Sequence, residues 1–263
     1  MASSLEKAAS TRRGVLGVVG VLLALAVWQA LPAIGLLPEG DVPGALAVLG
    51  ALVSLLDSGE FWNAVWATLA GAGLGFLIAV VAGVAIGTLM GAVDLIGSAL
   101  GPAVEFLRPV PGVALIPVAI LIFGPGLSSD VALVVFGCVW VVIVQTIYGV
   151  RAVEQVAIQT ATSFRMSHLN RIRYVQIPSA LPFIATGMRI ASGIALIVAV
   201  TSELVAGNDG LGSSIALAQS SGRTEDMYAY IVTAGLLGIL AHFAFGGVER
   251  RLLHWHQSQR AAA

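Results

Sequence analysis

Two ionisable residues, Arg108 and Glu203, lie within or beside long apolar stretches and are the first candidates for chemistry. A charge in such surroundings is costly unless it is paired or faces water, so it often marks a solute pathway. Glu203 is a candidate pathway or gate residue; alternatively, its carboxylate makes a hydrogen bond that shapes the following glycine-rich turn. Arg108 is a candidate contact for an anionic solute; alternatively, it is an anchor whose head group reaches water.

Residues for ATP hydrolysis, acid–base catalysis or metal binding form no usable pattern in this sequence. The only lysine, Lys7, does not follow a glycine-rich turn, as a Walker A loop requires. The only cysteine, Cys138, excludes an internal disulfide, and His254 with His256 offers too few metal ligands. We predict no catalytic residue, metal or cofactor in this chain. The 13 basic residues do not exceed the 14 acidic ones, which argues against a nucleic-acid partner.

The composition is that of an all-α integral membrane protein. Of 263 residues, 58% are hydrophobic and 10% are charged, whereas a soluble domain carries roughly a quarter charged residues. A membrane span needs about 20 mostly apolar residues. About six stretches qualify, at 14–37, 62–91, 104–123, 131–150, 183–206 and 227–248.

Two further features concern the first half of the chain. The first span is interpreted as a retained anchor rather than a cleaved signal peptide, because its apolar run continues well past Ala26. The stretch 42–56 is rather short for a span and is predicted to be an interfacial helix.

The third span contains Pro109, Pro111 and Pro117 and must be kinked or broken. Prolines at membrane depth leave backbone groups free, which other helices or a cavity must satisfy. A bend of this kind can present carbonyl and amide groups to a solute, so the three prolines join the candidate pathway.

Orientation follows from the basic residues, which concentrate on the cytoplasmic side of membrane proteins. With the N-terminus inside, every basic residue except Arg223 falls on the cytoplasmic side or at its boundary. We therefore predict one transmembrane domain over residues 1–263. Its cytoplasmic parts are residues 1–13, the loop 151–182 and the tail 249–263.

A ridge of small residues repeats every fourth position along the second span. Its members are Gly71, Gly75, Ala79, Gly83, Gly87 and Gly91. Small residues at this spacing let another helix approach closely. The partner helix belongs either to the same chain or to a second subunit.

The loop 151–182 carries a recognisable pattern that closes on two spaced prolines. It resembles the EAA loop of ABC importer permeases: Glu-Ala-Ala, three residues, Gly, nine residues, then Ile, any residue and Leu-Pro. Ala161 matches the second alanine, and the close of the motif matches Ile177, Pro178, Leu181 and Pro182. This sequence departs from the motif at Gln159, Thr160 and Arg165, where the family usually has Glu, Ala and Gly.

Two other stretches resemble the nitrate/sulfonate/taurine branch of the same family. Residues 106–124 look like its third span, and residues 202–212 look like the segment after its fifth span. The resemblance covers the chain in order from about Trp28 to Arg251, which is more specific than any one motif.

The resemblance implies the type I importer permease fold in a bacterial inner membrane. It implies a second permease copy, usually a homodimer, two cytoplasmic ATPases that bind ATP and Mg²⁺, and an extracytoplasmic binding protein. The loop would form a short helix that docks on the ATPase, and the solute would be small and often anionic. The alternative for the loop is a solvated segment without a docking role, whose basic residues only reflect the excess of Lys and Arg in cytoplasmic loops. The alternatives for the chain are a stand-alone secondary transporter and a membrane-embedded enzyme.

Overall fold

The computed structural model describes residues 2–35, 41–153 and 155–252, and the regular elements in these ranges are helical. The helices are Ala2–Ala33 (α1), Ala45–Leu56 (α2), Gly59–Ala92 (α3), Asp94–Leu107 (α4), Ile116–Phe123 (α5), Leu127–Arg151 (α6), Gln155–Ser163 (α7), His168–Arg171 (α8), Ile177–Ala206 (α9), Leu211–Ser220 (α10) and Thr224–Leu252 (α11). A 3-10 turn covers Gly112–Leu115, and a π turn covers Ile172–Gln176.

Five of the described helical segments are long and apolar enough to cross a membrane, and α4 with α5 makes a sixth if the bent pair counts as one span. The prediction of about six spans is therefore confirmed. Helix α2 is too short to be counted as a span. Of the predicted terminal segments, residue 1 and residues 253–263 lie outside the described residues.

The predicted break in the third span is confirmed, because α4 and α5 meet at 85°. Pro109 and Pro111 lie in the bend, where their missing N–H groups and fixed φ prevent α4 from continuing. Pro117 lies in the first turn of α5, where a missing N–H group costs nothing. The predicted start at residue 104 was wrong, since α4 begins at Asp94, directly after the extended residue Val93.

Helices α3 and α6 form the centre of the bundle and run in the same direction. Gly75, midway along α3, lies against Val134 near the beginning of α6, and Gly91 lies against Val150 near the ends of both helices. Helix α9 runs the opposite way along α6. Helix α11 runs parallel to α3, with Phe61 stacked on Tyr230 and, further along both helices, Phe76 against Phe245. We call the end where α6 begins and α9 ends the Asn208 end, and the opposite end the Arg151 end.

Two predicted loops contain more helix than expected. The polar stretch 208–226 includes the ten-residue helix α10. The loop 151–182 is shorter than predicted, because Ile177 to Pro182 already form the first turns of α9. Pro178 lies at the start of α9, directly after the π turn, and has no N–H group to donate to the preceding carbonyls.

Helix α1 packs loosely, and its predicted apolar window is almost entirely exposed. Its attachment is near its C-terminal end, where the Trp28 indole N–H donates to the Pro43 carbonyl over 3.1 Å. The Trp28 ring also lies 6.2 Å from the Tyr228 ring of α11. These contacts place the end of α1 and the start of α2 near the Asn208 end.

Candidate functional site

The EAA-like loop folds into a short helix that stands beside the Arg151 end of the bundle. Helix α7 holds Gln159, Thr160 and Ala161. Gln159 and Thr160 are exposed, whereas Ala161 is 5% exposed. The alanine that matches the motif is thus the residue turned inward, and the two departures from the motif face outward.

Arg165 adopts a left-handed backbone conformation, with φ of 53°. The Arg165 amide donates to the Thr162 carbonyl, and the Met166 amide donates to the Ala161 carbonyl. These two bonds form a Schellman motif, which normally places glycine at the left-handed position. The family motif usually has Gly there, so the structure explains what the arginine replaces: a helix stop that glycine makes without strain.

Helix α8 and the π turn connect α7 to the long helix α9. The Ser167 hydroxyl accepts from the Asn170 amide over 3.3 Å, which caps α8. The Arg171 guanidinium donates to the Thr162 hydroxyl over 3.4 Å, which ties α8 to α7. After the π turn, the Ile177 amide donates to the Ile172 carbonyl, five residues back, so the chain enters α9 without a break.

The segment from α7 to the π turn exposes large apolar side chains although it lies between two spans. Val156 is 69% exposed, Phe164 81%, Leu169 74% and Tyr174 61%. We call these four residues the loop surface. The exposed Arg165 and Arg173 lie beside it in the chain, so the segment combines apolar side chains with positive charge.

At the Asn208 end, the Glu203 carboxylate is enclosed and serves as an acceptor. Glu203 is 1% exposed. Its Oε2 accepts from the Thr68 hydroxyl over 2.8 Å and from the Gly212 amide over 3.0 Å. The Thr68 hydroxyl oxygen accepts in turn from the Leu211 amide over 2.9 Å. The carboxylate therefore holds the first turn of α10 against α3 and α9.

The glycines of this turn are required by close approach. A Cβ on Gly210 would overlap the Glu203 carboxylate, and a Cβ on Gly212 would overlap the Val200 carbonyl of α9. The hydrogen bond from Gly212 to Glu203 is the arrangement expected if Glu203 shapes the turn. A role of Glu203 in the pathway stays a prediction.

A second buried network, which sequence reasoning missed, joins α6 to the end of α9. Asp130 is 4% exposed and accepts from the Ser202 hydroxyl and from the Asn208 side-chain amide, the latter over 2.8 Å. The Asn208 oxygen accepts from the Gly126 amide over 2.7 Å. An Asp at the start of an apolar span was the available signal, because a carboxylate there needs partners.

The ridge of small residues lies along α6 of the same chain. A Cβ on Gly75 would come within 2.6 Å of Val134, one on Gly83 within 2.7 Å of Val142, and one on Gly87 within 2.7 Å of Thr146. Ala79 is fully buried. Of the two alternatives for the ridge, the structure shows the partner helix within the chain.

Arg108 and Glu203 do not meet, because they lie at opposite ends of the bundle. Arg108 follows the last turn of α4, at the Arg151 end. With Pro109 it lines a cavity of about 610 Å³ that also includes Arg151, Tyr148 and Glu105. Pro111 and Pro117 are not among the residues that line it.

Comparison with known proteins identifies the family. The family model described as "Binding-protein-dependent transport system inner membrane component" matches residues 75–254. The chain belongs to this family. It is therefore a multi-pass inner membrane protein and a transport component, as the sequence predicted.

Several similar bacterial proteins are transport permeases. The taurine transport system permease protein TauC of Escherichia coli (strain K12) is 29% identical over 94% of this chain and 91% of its own length. The nitrate import permease protein NrtB of Leptolyngbya laminosa is 30% identical over 75% of this chain and 70% of its own. The bicarbonate transport system permease protein CmpB of Synechococcus elongatus (strain ATCC 33912 / PCC 7942 / FACHB-805) is 28% identical over 91% and 89%.

Solved structures show the same fold. A chain of the inward-facing MetNI methionine ABC transporter has a TM-score of 0.64 at 20% identity, covering 73% of this chain and 96% of its own. A chain of an amino acid ABC transporter with histidines has a TM-score of 0.63 at 21% identity, covering 76% and 97%. The predicted fold of an ABC importer permease is thereby confirmed.

Proposed function

We propose that this chain forms the translocation pathway of an ATP-driven importer of a small anion, and that a separate cytoplasmic ATPase docks on its loop surface. The observation that carries the proposal is the loop surface itself. Four large apolar side chains stand exposed on a segment between two spans, next to arginines that favour an aqueous or interfacial setting. Large apolar side chains that stand exposed beside charged residues favour a contact with another protein.

The connections of α7 suit a segment that transmits movement from a separate ATPase. The sequence has no lysine after its first span and therefore no Walker A loop, so ATP and Mg²⁺ would be held by the partner. Conformational changes of that partner must then be transmitted through a rigid segment of this chain. Helix α7 is closed by two backbone bonds, tied to α8 by Arg171, and joined through the π turn to α9, which crosses the bundle. A displacement of α7 would therefore pull on α9.

The similar permeases supply the solute class and the rest of the assembly. They are named for taurine, nitrate and bicarbonate, which are small and carry an anionic group. The family name implies a binding protein, which would deliver the solute to the Asn208 end. In this proposal two copies of the chain enclose the pathway, the Arg151 end faces the cytoplasm, and both termini lie on that side.

Within the pathway, Arg108 and the bend at Pro109 and Pro111 would line the inner exit, with Pro117 setting the direction of α5. Glu203 would act at the outer end by holding α10 in place. Neither role requires a covalent step, so the chain would be the noncatalytic subunit of the transporter.

Co-purification tests the proposal. The full chain, tagged, would be expressed with its neighbouring ATPase and extracted in detergent, and we expect the ATPase to follow. Replacing the two most exposed loop-surface residues, Phe164→Ser with Leu169→Ser, should abolish the association. Asn170→Ser, an exposed change in the same helix as Leu169, is the matched control and should leave the association intact. Deleting residues 159–165, or changing Ala161→Glu, should also abolish it while the spans remain inserted.

The competing functions give different results. Gradient-driven uptake by the chain in vesicles without any ATPase would overturn the proposal in favour of a stand-alone secondary transporter. Normal ATPase co-purification by the Phe164→Ser, Leu169→Ser double variant would remove the loop surface from the mechanism.

A further inference from the structure

The cavity at the Arg151 end collects positive charge beyond what the fold uses. It is bounded by the end of α3, by α4 and by the last two turns of α6. Its ionisable lining residues are Arg108, Arg151 and Glu105, with the Tyr148 hydroxyl as a further donor group. Two arginines face one glutamate, so the cavity carries an excess of one positive charge at neutral pH.

Neither arginine forms an ion pair within the residues that the structure describes. The two ion pairs found there join Arg189 to Glu249 and Arg223 to Asp226. Arg151 Nη2 reaches only a neutral partner, the Met90 carbonyl at the end of α3, over 3.5 Å. A guanidinium has five N–H donors, so most of the donor capacity of these two side chains is unused by the fold.

Two glycines of α4, one turn apart, make room for this arrangement. A Cβ on Gly97 would come within 2.9 Å of Arg151 Nη2 and within 2.6 Å of the Met90 carbonyl oxygen, so Gly97 admits the guanidinium between α3 and α4. A Cβ on Gly101 would meet no atom within 4 Å. Gly101 therefore borders the open part of the cavity.

The remaining walls are apolar. Val104, Val144 and Ile147 line the cavity from α4 and α6. Apolar walls lower the local dielectric constant, which strengthens the attraction between a guanidinium and an anion. They also offer contact to the hydrocarbon part of a ligand.

We propose that this cavity binds an oxyanion, with Arg108 and Arg151 as its ligands and Tyr148 as a donor at the rim. Guanidinium groups match phosphate, sulfate and sulfonate because paired N–H donors meet paired oxygens. The oxyanion comes either from the phosphate headgroup of an anionic phospholipid, which basic pockets between membrane helices bind, or from a small soluble anion. All residues that line the cavity belong to this chain. Binding is therefore measured on the full chain by itself, and the result does not depend on the proposed ATPase.

The experiment has one arm for each source of the anion. The full chain is reconstituted in phosphatidylcholine nanodiscs, and its thermal unfolding is followed against sodium sulfate at constant ionic strength set with chloride. In parallel, native mass spectrometry in detergent measures the occupancy of added phosphatidylglycerol against phosphatidylcholine. A sulfate-dependent shift that is lost in the Arg108→Gln, Arg151→Gln double variant identifies a soluble-anion site, because sulfate also stabilises folded proteins non-specifically. Selective retention of phosphatidylglycerol identifies a headgroup site, and either result supports the proposal.

Variants assign the binding to the cavity. Arg108→Gln with Arg151→Gln should weaken whichever ligand binds by about tenfold or more, because charge-assisted hydrogen bonds are lost. Arg223→Gln removes the same charge at the opposite end and should leave affinity unchanged. Gly101→Leu keeps both arginines and fills the open part of the cavity, so it should also abolish binding while the unfolding temperature without ligand stays within a few degrees.

Two results would overturn the proposal. One is that the unmodified chain neither responds to sulfate nor prefers phosphatidylglycerol. The other is that the double variant and Gly101→Leu bind as well as the unmodified chain. Because Gly101→Leu removes no charge, loss of binding there distinguishes an occupied cavity from general attraction to a basic surface.

Discussion

The Asn208 end of this bundle buries its ionisable groups, whereas the Arg151 end leaves them exposed. At the Asn208 end, Glu203 and Asp130 are buried and accept hydrogen bonds from hydroxyl and amide groups of three helices. At the Arg151 end, Arg108 and Arg151 face a cavity, and the loop surface lies uncovered. The buried polar groups of the first end are satisfied within the chain, whereas the second end has guanidinium donors and exposed apolar side chains left for other molecules.

The physical difference lies in where each end satisfies its polar groups. A buried carboxylate without partners is strongly unfavourable, so the residues around Glu203 must be correctly placed for the chain to fold. Exposed guanidinium groups are solvated by water and impose no such condition. We therefore expect substitutions at the Asn208 end to affect folding, and substitutions at the Arg151 end to affect binding.

The largest effect is expected at Glu203. Glu203→Ala leaves the Gly212 amide and the Thr68 hydroxyl without their buried acceptor and should lower the free energy of unfolding by about 2–4 kcal/mol. Glu203→Gln keeps a side-chain oxygen in the same place and should lower the free energy of unfolding clearly less than Glu203→Ala. Denaturation in mixed detergent micelles measures both, and Glu225→Ala, an exposed change near the same end, is the control. Equal stability of Glu203→Ala and Glu225→Ala would show that the network contributes nothing.

The next effect concerns the ridge that joins both ends. Gly75→Ala places a methyl group within 2.6 Å of Val134 and should destabilise the chain by about 1–3 kcal/mol through overpacking. Gly73→Ala lies on the same helix with nothing within 4 Å and should be neutral or stabilising by up to about 1 kcal/mol. The pair is compared by thermal unfolding in detergent. If both variants shift the transition equally, close packing of α3 on α6 is not the cause.

A smaller, opposite effect is expected at Arg165. Arg165→Gly relieves the left-handed backbone of a residue with a side chain and should stabilise the end of α7 by about 1 kcal/mol. The backbone amides of residues 165 and 166 both donate in the Schellman motif. In a hydrogen-exchange measurement, their exchange should therefore slow about fivefold in the Arg165→Gly variant. Faster exchange in this variant would mean that the arginine side chain, rather than the backbone, holds the turn.

The smallest effect on stability is expected for Arg108→Gln. Arg108 is exposed and forms no ion pair in the described ranges, and surface changes of this kind usually fall within about 0.5 kcal/mol. Thermal unfolding without added anions should be indistinguishable from that of the unmodified chain. A loss of stability as large as that of Glu203→Ala would contradict the expectation that substitutions at the Arg151 end leave folding unaffected.

The sequence was sufficient for features that depend on local composition. Apolar length predicted the spans, and the spacing of Pro109 and Pro111 predicted the break between α4 and α5. The four-residue repeat predicted a close helix contact, although it left the partner helix open. The start of α4 and helix α10 were missed, because both are short amphipathic or weakly apolar stretches that carry no span-length signal.

The site residues divide in the same manner. Gln159, Thr160, Ala161 and Arg165 were predicted from the first seven positions of a motif, which keep their spacing in the sequence. Thr68, Asp130 and Ser202 carry no spacing signal, because their partners lie 72 to 143 residues away. Such contacts exist only after α3, α6 and α9 have come together.

By itself the sequence determined that the chain is a bundle of membrane helices, where one span breaks, and which segment carries a permease-like loop. These properties follow from apolar length, proline chemistry and short-range spacing, which act along the chain. The tertiary structure alone decided that the ridge faces α6, that Glu203 holds α10, and that Arg108 and Arg151 share a cavity. Those properties depend on which faces of distant helices meet, and that choice is made by packing and by the need to satisfy buried polar groups.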